Sequence, residues 1–319
     1  MIKEPKIVCL GGGIGTVQLL RGIRFFTHKI TVVVSMSDDG GSAGRLRRLY
    51  SIPPPGDLIN CLSALSNAEP LLSQMLTYRF AGKRWGRDDA LSGQKLGNLI
   101  IVALTKITGS FSNALKEMQR IFRSHGVIYP ATEENVSIWA ETKDKHKIYG
   151  EMNIDLGKYP GTKEIKQVYL EPKVNSSPPE VTRAMLDADC IIAGPGDLYT
   201  TVLPVLLVND IKNALKKSKA TKIYILNIAN KPFETPNYKT SNYLDAIYKH
   251  INYFPFKYCL VNNNHKPRIP VKLDYSYVGI DKDLKVSYNT NMVYGNYVED
   301  EFPLYHNPQK VAKQIMKLL

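Results

Sequence analysis

Glycine clusters followed by polar residues are the part of this sequence best suited to chemistry on phosphorylated ligands. Gly11, Gly12, Gly13 and Gly15 follow a short apolar run, and Thr16 begins an apolar pattern with helical spacing. A glycine turn lets the backbone approach a ligand, and a helix N-terminus offers N–H groups and a positive dipole end to an anion. The turn alone is a weak signal, because a dinucleotide fingerprint needs glycine where Thr16 stands. A tight strand-to-helix turn is the structural alternative.

Two adjacent carboxylates, Asp38 and Asp39, come next and precede two glycines and Ser42. Carboxylates beside a phosphate-binding turn can hold Mg²⁺ or bind ribose hydroxyls. Arg45 and Arg48 follow on the next predicted helix, where they could face phosphate. The structural alternative is an Asx-type turn in which Ser42 caps that helix.

A third carboxylate and a second glycine turn extend this set. Pro54-Pro55-Gly56 presents Asp57 at a predicted helix start, with Asn60 one turn further. Asp57 either caps that helix or joins Asp38 and Asp39 as a third carboxylate for Mg²⁺. The segment Gly194-Pro195-Gly196-Asp197 repeats the turn between strand and helix, and it predicts a second anion site.

These clusters fall where predicted strands end. The predicted strands are Lys6–Leu10, Ile30–Met36, Asp189–Ala193, Lys222–Ile228 and Tyr258–Asn262. The predicted helices are Thr16–Phe26, Leu58–Leu72, Gly97–Thr105, Ser112–Phe122 and Tyr305–Leu319. The motifs GGGIG, SDDGGS, GPGD and NIAN follow four of the strands, and ligands of open parallel sheets bind beyond the carboxyl ends of the strands.

The predicted fold class is therefore α/β, with a doubly wound and mostly parallel sheet. Residues from about 127 to 170 are more polar and strand-like, which predicts an antiparallel, cap-like insertion. We expect a single domain over residues 1–319.

Composition and charge exclude several classes of protein. The 42 Lys and Arg against 29 Asp and Glu give a formal charge of +13, but the basic residues are dispersed. The densest runs are 45–48, 83–87 and 212–222; the last has helical spacing, and none accompanies a nucleic-acid-binding motif. No apolar run reaches the length of a membrane span, and four scattered cysteines suggest reduced thiols. We expect a cytoplasmic protein without nucleic-acid partners.

Several catalytic patterns are missing. The six histidines show no metal-ligand spacing, no Gly-x-Ser-x-Gly elbow occurs, and no Walker lysine follows the first glycine turn. Chemistry in this chain would therefore involve phosphate and a metal ion.

Six ordered motifs resemble the YvcK/CofD-like family, and within it the bacterial gluconeogenesis-factor branch. They are GGGIG (11–15), DDGGSAGRLR (38–47), PPGDLINCLSAL (54–65), GQKLGNL (93–99), GPGDLYTTVLP (194–204) and HNPQKVAKQI (306–315). The related branch contains the 2-phospho-L-lactate transferases, which use a guanylylated donor and Mg²⁺.

This resemblance implies a Rossmann-like fold and a pocket for a UDP-sugar such as UDP-N-acetylglucosamine. It implies a regulator of cell-wall synthesis and cell shape that needs no cofactor, acts through a protein partner and is able to form homo-oligomers. The ligand-binding residues would be Gly11, Gly12, Gly13, Gly15, Thr16, Asp38, Asp39, Ser42, Arg45, Asp57, Asn60, Asn98, Gly194, Gly196 and Asp197.

Four positions depart from the family pattern: Ile14, Gln94, Asp197 and Tyr305. Each could alter ligand choice without disturbing the fold. Two functions are carried forward, a UDP-sugar-binding regulator and a Mg²⁺-dependent transferase with Asp38, Asp39 and Asp57 as metal ligands. An NAD-dependent oxidoreductase, with Asp38 or Asp39 on a ribose, is disfavoured because no catalytic donor–acceptor pair can be named.

Overall fold

The computed structural model describes residues 4–82, 91–162, 164–281 and 288–319. Its strands are β1 (Ile7–Gly11), β2 (Ile30–Val34), β3 (Val127–Pro130), β4 (Ser137–Thr142), β5 (Lys147–Tyr149), β6 (Ile165–Glu171), β7 (Cys190–Ala193), β8 (Thr221–Ile225), β9 (Ala229–Asn230), β10 (Tyr258–Asn262), β11 (Ser276–Tyr277) and β12 (Asn291–Gly295). The basic run 83–87 lies outside the described residues.

Seven strands form one sheet in the order β12, β10, β8, β7, β1, β2, β3. All its neighbouring strands are parallel, as predicted. The central strands are apolar and buried, as expected for a sheet covered on both faces. The chain passes from β1 to one side of the sheet and returns at β7 to build the other side. The carboxyl ends of β1 and β7 therefore flank the point where the strand order reverses, which is where open α/β sheets bind ligands.

The helices are α1 (Gly13–Ile23), α2 (Gly41–Tyr50), α3 (Gly56–Leu65), α4 (Pro70–Thr77), α5 (Leu96–Thr108), α6 (Phe111–Ile121), α7 (Glu151–Asp155), α8 (Pro179–Asp187), α9 (Leu203–Leu206), α10 (Asn209–Lys217), α11 (Thr240–Ile251) and α12 (Pro308–Lys317). A π-helical turn covers Leu198–Val202. The helix predicted over Leu58–Leu72 is two helices: α3 ends at Leu65, where Ser66 is extended, and Pro70 begins α4. The basic run 212–222 likewise divides, since α10 ends at Lys217 and β8 begins at Thr221.

The predicted insertion is present, but it begins later than residue 127. Val127–Pro130 is not part of it: this strand pairs in parallel with β2 and forms the edge of the main sheet. The antiparallel unit is the three-stranded sheet β5-β4-β6, which extends to Glu171. Its apolar side shares one continuous core with the main sheet, through residues such as Ile138, Ala140 and Val168.

The four cysteines are free and buried, and burial raises the pKa of the Cys9 thiol to about 12. Neutral thiols on central strands are packing residues rather than nucleophiles. In the described part of the chain, no helix has the length and apolar character needed to cross a bilayer.

Candidate functional site

A cavity of about 430 Å³ lies beyond the carboxyl ends of four parallel strands. The turn Gly12–Gly15 comes from β1, Ser35, Ser37 and Asp38 from β2, Pro195–Asp197 from β7, and Asn227–Ala229 from β8. The remaining wall comes from Gly40 and Asp57, from α7 and Leu156, from Thr200 and Thr201, from Lys231 and Tyr275, and from residues 304–306 before α12. The sheet thus brings together the four strand ends that carry the sequence motifs.

The first glycine turn is tied to the second by Thr16. The Gly12 amide donates to Thr16 Oγ1 at 2.9 Å, and that hydroxyl donates to the Pro195 carbonyl at 3.4 Å. A Cβ on Gly15 would lie 2.5 Å from the Pro195 oxygen, so only glycine allows this approach of the two turns. Gly11 and Thr16 therefore shape the turn from below, whereas Gly12, Gly13 and Gly15 line the cavity.

Asp57 occupies part of the predicted anion site itself. Its Oδ2 accepts the Gly13 amide at 2.7 Å, and its Oδ1 lies 3.5 Å from the donating Asn60 amide. Asp57 does not cap α3, whose N-cap is Pro55. Burial raises the pKa of Asp57, while the Gly13 amide and the charge of Lys95 oppose that rise. Because Gly12 and Gly13 have internal acceptors, the first-turn amides of Ile14 and Gly15 are the ones available to a ligand.

The two adjacent carboxylates have different positions. Asp38 lines the cavity, and its Oδ1 accepts the Gly40 amide at 2.8 Å, which is the Asx-type turn considered above. Asp39 does not line the cavity. Its two oxygens accept the amides of Glu151 and Met152 at 3.2 and 3.0 Å, at the start of α7. Of the three predicted metal ligands, Asp38 and Asp57 therefore line the cavity, whereas Asp39 accepts the amides at the start of α7.

Four further predicted site residues stand behind the cavity wall. Ser42 does not cap α2; its hydroxyl accepts from Arg79 at 3.3 Å. Arg45 donates to the Ser92 carbonyl, and Asn60 accepts from Lys95 Nζ at 2.5 Å. Asn98 is buried on α5. None of these four residues is part of the cavity lining.

The second glycine turn follows β7 and contributes Pro195, Gly196 and Asp197 to the cavity wall. Gly194 has φ of +75°, a conformation that favours glycine, but it lies behind the lining. Gly196 lines the cavity and donates its amide to Asn227 Oδ1 at 3.3 Å. Asp197 accepts from Lys231 Nζ at 2.7 Å, so the negative charge that departs from the family pattern has a cation beside it.

Lys231 lies among three carboxylates that sequence reasoning did not identify as a cluster. Its ammonium pairs with Asp155 as well as Asp197, and carboxylate oxygens of Asp155, Asp197 and Glu234 lie within 4.8 Å of one another. Burial disfavours the charge on Lys231, but the attraction of Asp197, Glu234 and Asp155 outweighs burial and raises its pKa. These carboxylates have the chemistry of a divalent-cation site, with the Lys231 ammonium as their counter-charge here.

Glu234 shows why this cluster was missed. Its Oε1 accepts the amides of Tyr199 and Thr200 at 2.7 and 2.9 Å, which fixes the π-helical turn after Asp197. Burial first, then the charge of Asp197, raises the pKa of Glu234 to about 8. Asp155 comes from the insertion and Glu234 from a loop, so no local motif links them. The only signal in the sequence was the polar segment that follows β8.

Two more titratable groups line the cavity and are neutral at pH 7. Burial, reinforced by Asp38 and Asp155, raises the pKa of Glu151 on α7 to about 10. Burial lowers the pKa of His306 to about 4, although a hydrogen bond to the Leu226 backbone opposes the shift. Chemically, the cavity therefore combines a short anion-binding turn, one ammonium group and an acidic wall.

Comparison with known proteins agrees with this architecture. Residues 7–293 match the family model described as 2-phospho-L-lactate transferase CofD. The gluconeogenesis factor of Bacillus subtilis is 40% identical over 268 residues, which cover 84% of this chain and 81% of that protein. The gluconeogenesis factor of Halalkalibacterium halodurans is 42% identical over 249 residues, 78% of this chain and 74% of that protein.

A solved structure shows the same fold. The crystal structure of protein BH3568 from Bacillus halodurans superposes with a TM-score of 0.90 at 36% identity. The match covers 98% of this chain and 100% of that one. A likeness of this extent applies to the whole fold and not only to the glycine turns.

Proposed function

Because this chain belongs to the CofD family, in the branch of the gluconeogenesis factors, we propose that its cavity binds a UDP-sugar such as UDP-N-acetylglucosamine. Binding would regulate a protein partner that links carbon metabolism to cell-wall synthesis and cell shape. No cofactor is required for this role, and the site of action would be the cytoplasm.

The observation that carries the proposal is the convergence of two glycine turns on one cavity at the reversal point of a parallel sheet. The N-terminus of α1 and the ammonium of Lys231 both line this cavity. Together they offer amide donors, a positive dipole end and a cation to a diphosphate. The volume of about 430 Å³ is in the usual range for sites that enclose small ligands.

A second candidate function rests on the acidic wall. Asp38, Asp57, Asp155 and Asp197 line the same cavity. So many carboxylates beside a diphosphate would repel it unless a cation lies between them, and Mg²⁺ bridging carboxylate and phosphate is the usual solution. This favours, as the alternative, a Mg²⁺-dependent transferase acting on a nucleotide-diphospho donor. Asp38 and Asp57 are the predicted metal ligands that line the cavity.

The first experiment measures thermal stability of the protein with UDP, UDP-N-acetylglucosamine, UDP-glucose, GDP and NAD, each with and without Mg²⁺. A ligand at about 100 times its Kd adds about 2.7 kcal/mol, which raises Tm by several degrees in a protein of this size. Selective stabilisation by a UDP-sugar without turnover supports the regulator. Stabilisation only by GDP with Mg²⁺, or product formation on incubation, supports the transferase.

A matched pair of variants locates the binding site. Ile14 is 53% exposed, lines the cavity and lies in the first turn of α1, where an acidic residue favours the helix. Ile14→Glu should therefore fold normally yet weaken UDP-sugar affinity at least tenfold by repelling the phosphates. Gln18→Glu adds the same charge one turn later, beside a different surface depression, and should bind like the wild type. Equal affinities in both variants would place the ligand elsewhere.

The regulatory part of the proposal is tested in cells. This chain should restore growth on gluconeogenic carbon and normal cell shape to Bacillus subtilis that lacks its own gluconeogenesis factor. The Ile14→Glu variant should fail to restore either property, whereas Gln18→Glu should restore both. Full complementation by Ile14→Glu would separate the cellular role from ligand binding.

A further inference from the structure

His306 belongs to the wall of the ligand-binding cavity and carries a buried nitrogen without a partner among the described residues. The side chain is 4% exposed and is part of the cavity lining. One ring nitrogen contacts the Leu226 backbone, while Nε2 has no hydrogen-bond partner from residues 4–82, 91–162, 164–281 or 288–319. A buried polar atom without a partner is unfavourable, so its presence in a cavity wall indicates a group that a ligand satisfies.

The contact with Leu226 fixes what Nε2 can do. The Leu226 amide already donates to the Leu260 carbonyl, which leaves the Leu226 carbonyl as the acceptor for the imidazole N–H. Since the ring is neutral, the proton on Nδ1 leaves Nε2 with a lone pair. Nε2 is therefore a hydrogen-bond acceptor, and its partner must be a donor.

The two ends of the cavity differ in character. Asp38 and the protonated Glu151 form a carboxyl-lined end near the terminus of β2. His306 lies beyond β8, together with the apolar or aromatic residues Ile228, Leu304 and Tyr305; Lys231 also follows β8 and lines the cavity. A nucleobase is flat and uncharged and suits the second end, whereas sugar hydroxyls suit carboxylates at the first. The glycine turns lie between the two ends, where a diphosphate would join base and sugar.

We propose that His306 Nε2 accepts a hydrogen bond from the ring N–H of the nucleobase, which for a UDP-sugar is the N3–H of uracil. This inference rests on the proposed function, and it makes His306 a residue that determines base specificity. Uracil and guanine carry a ring N–H on their pairing edge. Cytosine and adenine carry an unprotonated ring nitrogen there, which would place a lone pair against the lone pair of Nε2.

His306 would discriminate between nucleobases, because Nε2 stays unpaired when the bound base has no ring N–H. A site built to pair with a ring N–H rejects a base that lacks it more strongly than an apolar pocket rejects a wrong shape. We expect CDP to bind the wild-type protein at least tenfold more weakly than UDP. Methylation of uracil at N3 removes the same donor and should weaken binding by a similar factor.

A double-mutant cycle with a modified ligand tests the contact. Calorimetry would measure Kd for UDP and 3-methyl-UDP with the wild type, His306→Ala and His306→Gln. His306→Ala should bind UDP about tenfold more weakly, and it should show no further loss with 3-methyl-UDP because the donor no longer has a partner. His306→Gln places an amide oxygen close to the position of Nε2 and should recover part of the UDP affinity.

The outcomes separate this inference from the proposed function. If methylation weakens binding by the same factor in wild type and His306→Ala, the two groups do not interact and the inference is wrong. Equal binding of UDP by both proteins also overturns it, while leaving UDP-sugar binding intact. If the wild type binds only GDP, the same cycle with GDP and 1-methyl-GDP tests whether His306 contacts the ring N–H of guanine. A wild type that binds neither nucleotide overturns this inference, and a wild type that does not bind UDP-N-acetylglucosamine either overturns the proposed function. Unchanged unfolding temperatures of the variants exclude a general loss of structure.

Discussion

At the scale of single residues, the site depends on polar contacts that hold backbone turns together. Thr16 is the clearest case, because its hydroxyl accepts from one glycine turn and donates to the other. Thr16→Val should lower the free energy of unfolding by about 1–3 kcal/mol, since the Gly12 amide loses its buried acceptor. Thr16→Ser keeps the hydroxyl and should retain most of the stability. Urea denaturation of the three proteins measures this difference, and equal midpoints for Val and Ser would contradict it.

The stability of the folded protein should depend on pH through Glu151. Its pKa is raised to about 10 by burial and by Asp38, so the folded protein holds a proton that the unfolded chain has lost above about pH 5. The folded state thus binds more protons, and stability falls as pH rises from about 5 toward 10. Glu151→Gln cannot ionise, so it should reduce this fall and add about 1–3 kcal/mol at pH 8.5. Urea denaturation at pH 6 and pH 8.5 tests the sign, with the exposed Glu301→Gln as the matched control.

At the scale of elements, strand ends were predictable and the helix that closes the cavity was not. Apolar runs ending in glycine or aspartate located β1, β2, β7 and β8 to within a few residues, because buried parallel strands leave a simple pattern. α7 has five residues and lies in the polar insertion, so it had no periodicity to detect. Its contacts cross more than a hundred positions of sequence, which no local pattern records.

Asp39 anchors that short helix to the loop after β2. Its carboxylate accepts the first amides of α7 from outside the helix, as an N-cap residue does from within. Asp39→Ala should cost about 1 kcal/mol and should speed hydrogen exchange at the amides of Glu151 and Met152. Asp39→Asn keeps one acceptor and should show a smaller effect. Unchanged exchange at these amides in Asp39→Ala would show that α7 is held by packing alone.

At the scale of the whole molecule, the insertion and the main sheet meet in one charge cluster. Asp155 from the insertion, Asp197 after β7 and Lys231 after β8 are joined through the Lys231 ammonium. Sequence reasoning predicted both layers but not this junction, because its members are separated along the chain and each alone resembles an ordinary surface charge. The same limit applies to Asp39 and Arg45, whose residue types suited a ligand. In the structure Asp39 accepts the Glu151 amide and Arg45 donates to the Ser92 carbonyl.

Removal of the Lys231 ammonium should therefore lower the free energy of unfolding. Lys231→Met leaves Asp155, Asp197 and Glu234 close together without a counter-charge, and loss of this partner from partly buried ion pairs should cost about 1–3 kcal/mol. Asp155→Asn in the same chain removes one of the repelling charges, so the double variant should be more stable than Lys231→Met alone. Urea denaturation of the four proteins gives the coupling energy. Strictly additive effects would mean that Lys231 does not join the two layers. A double variant that recovers stability would show that the Lys231 ammonium helps to hold the insertion over the cavity.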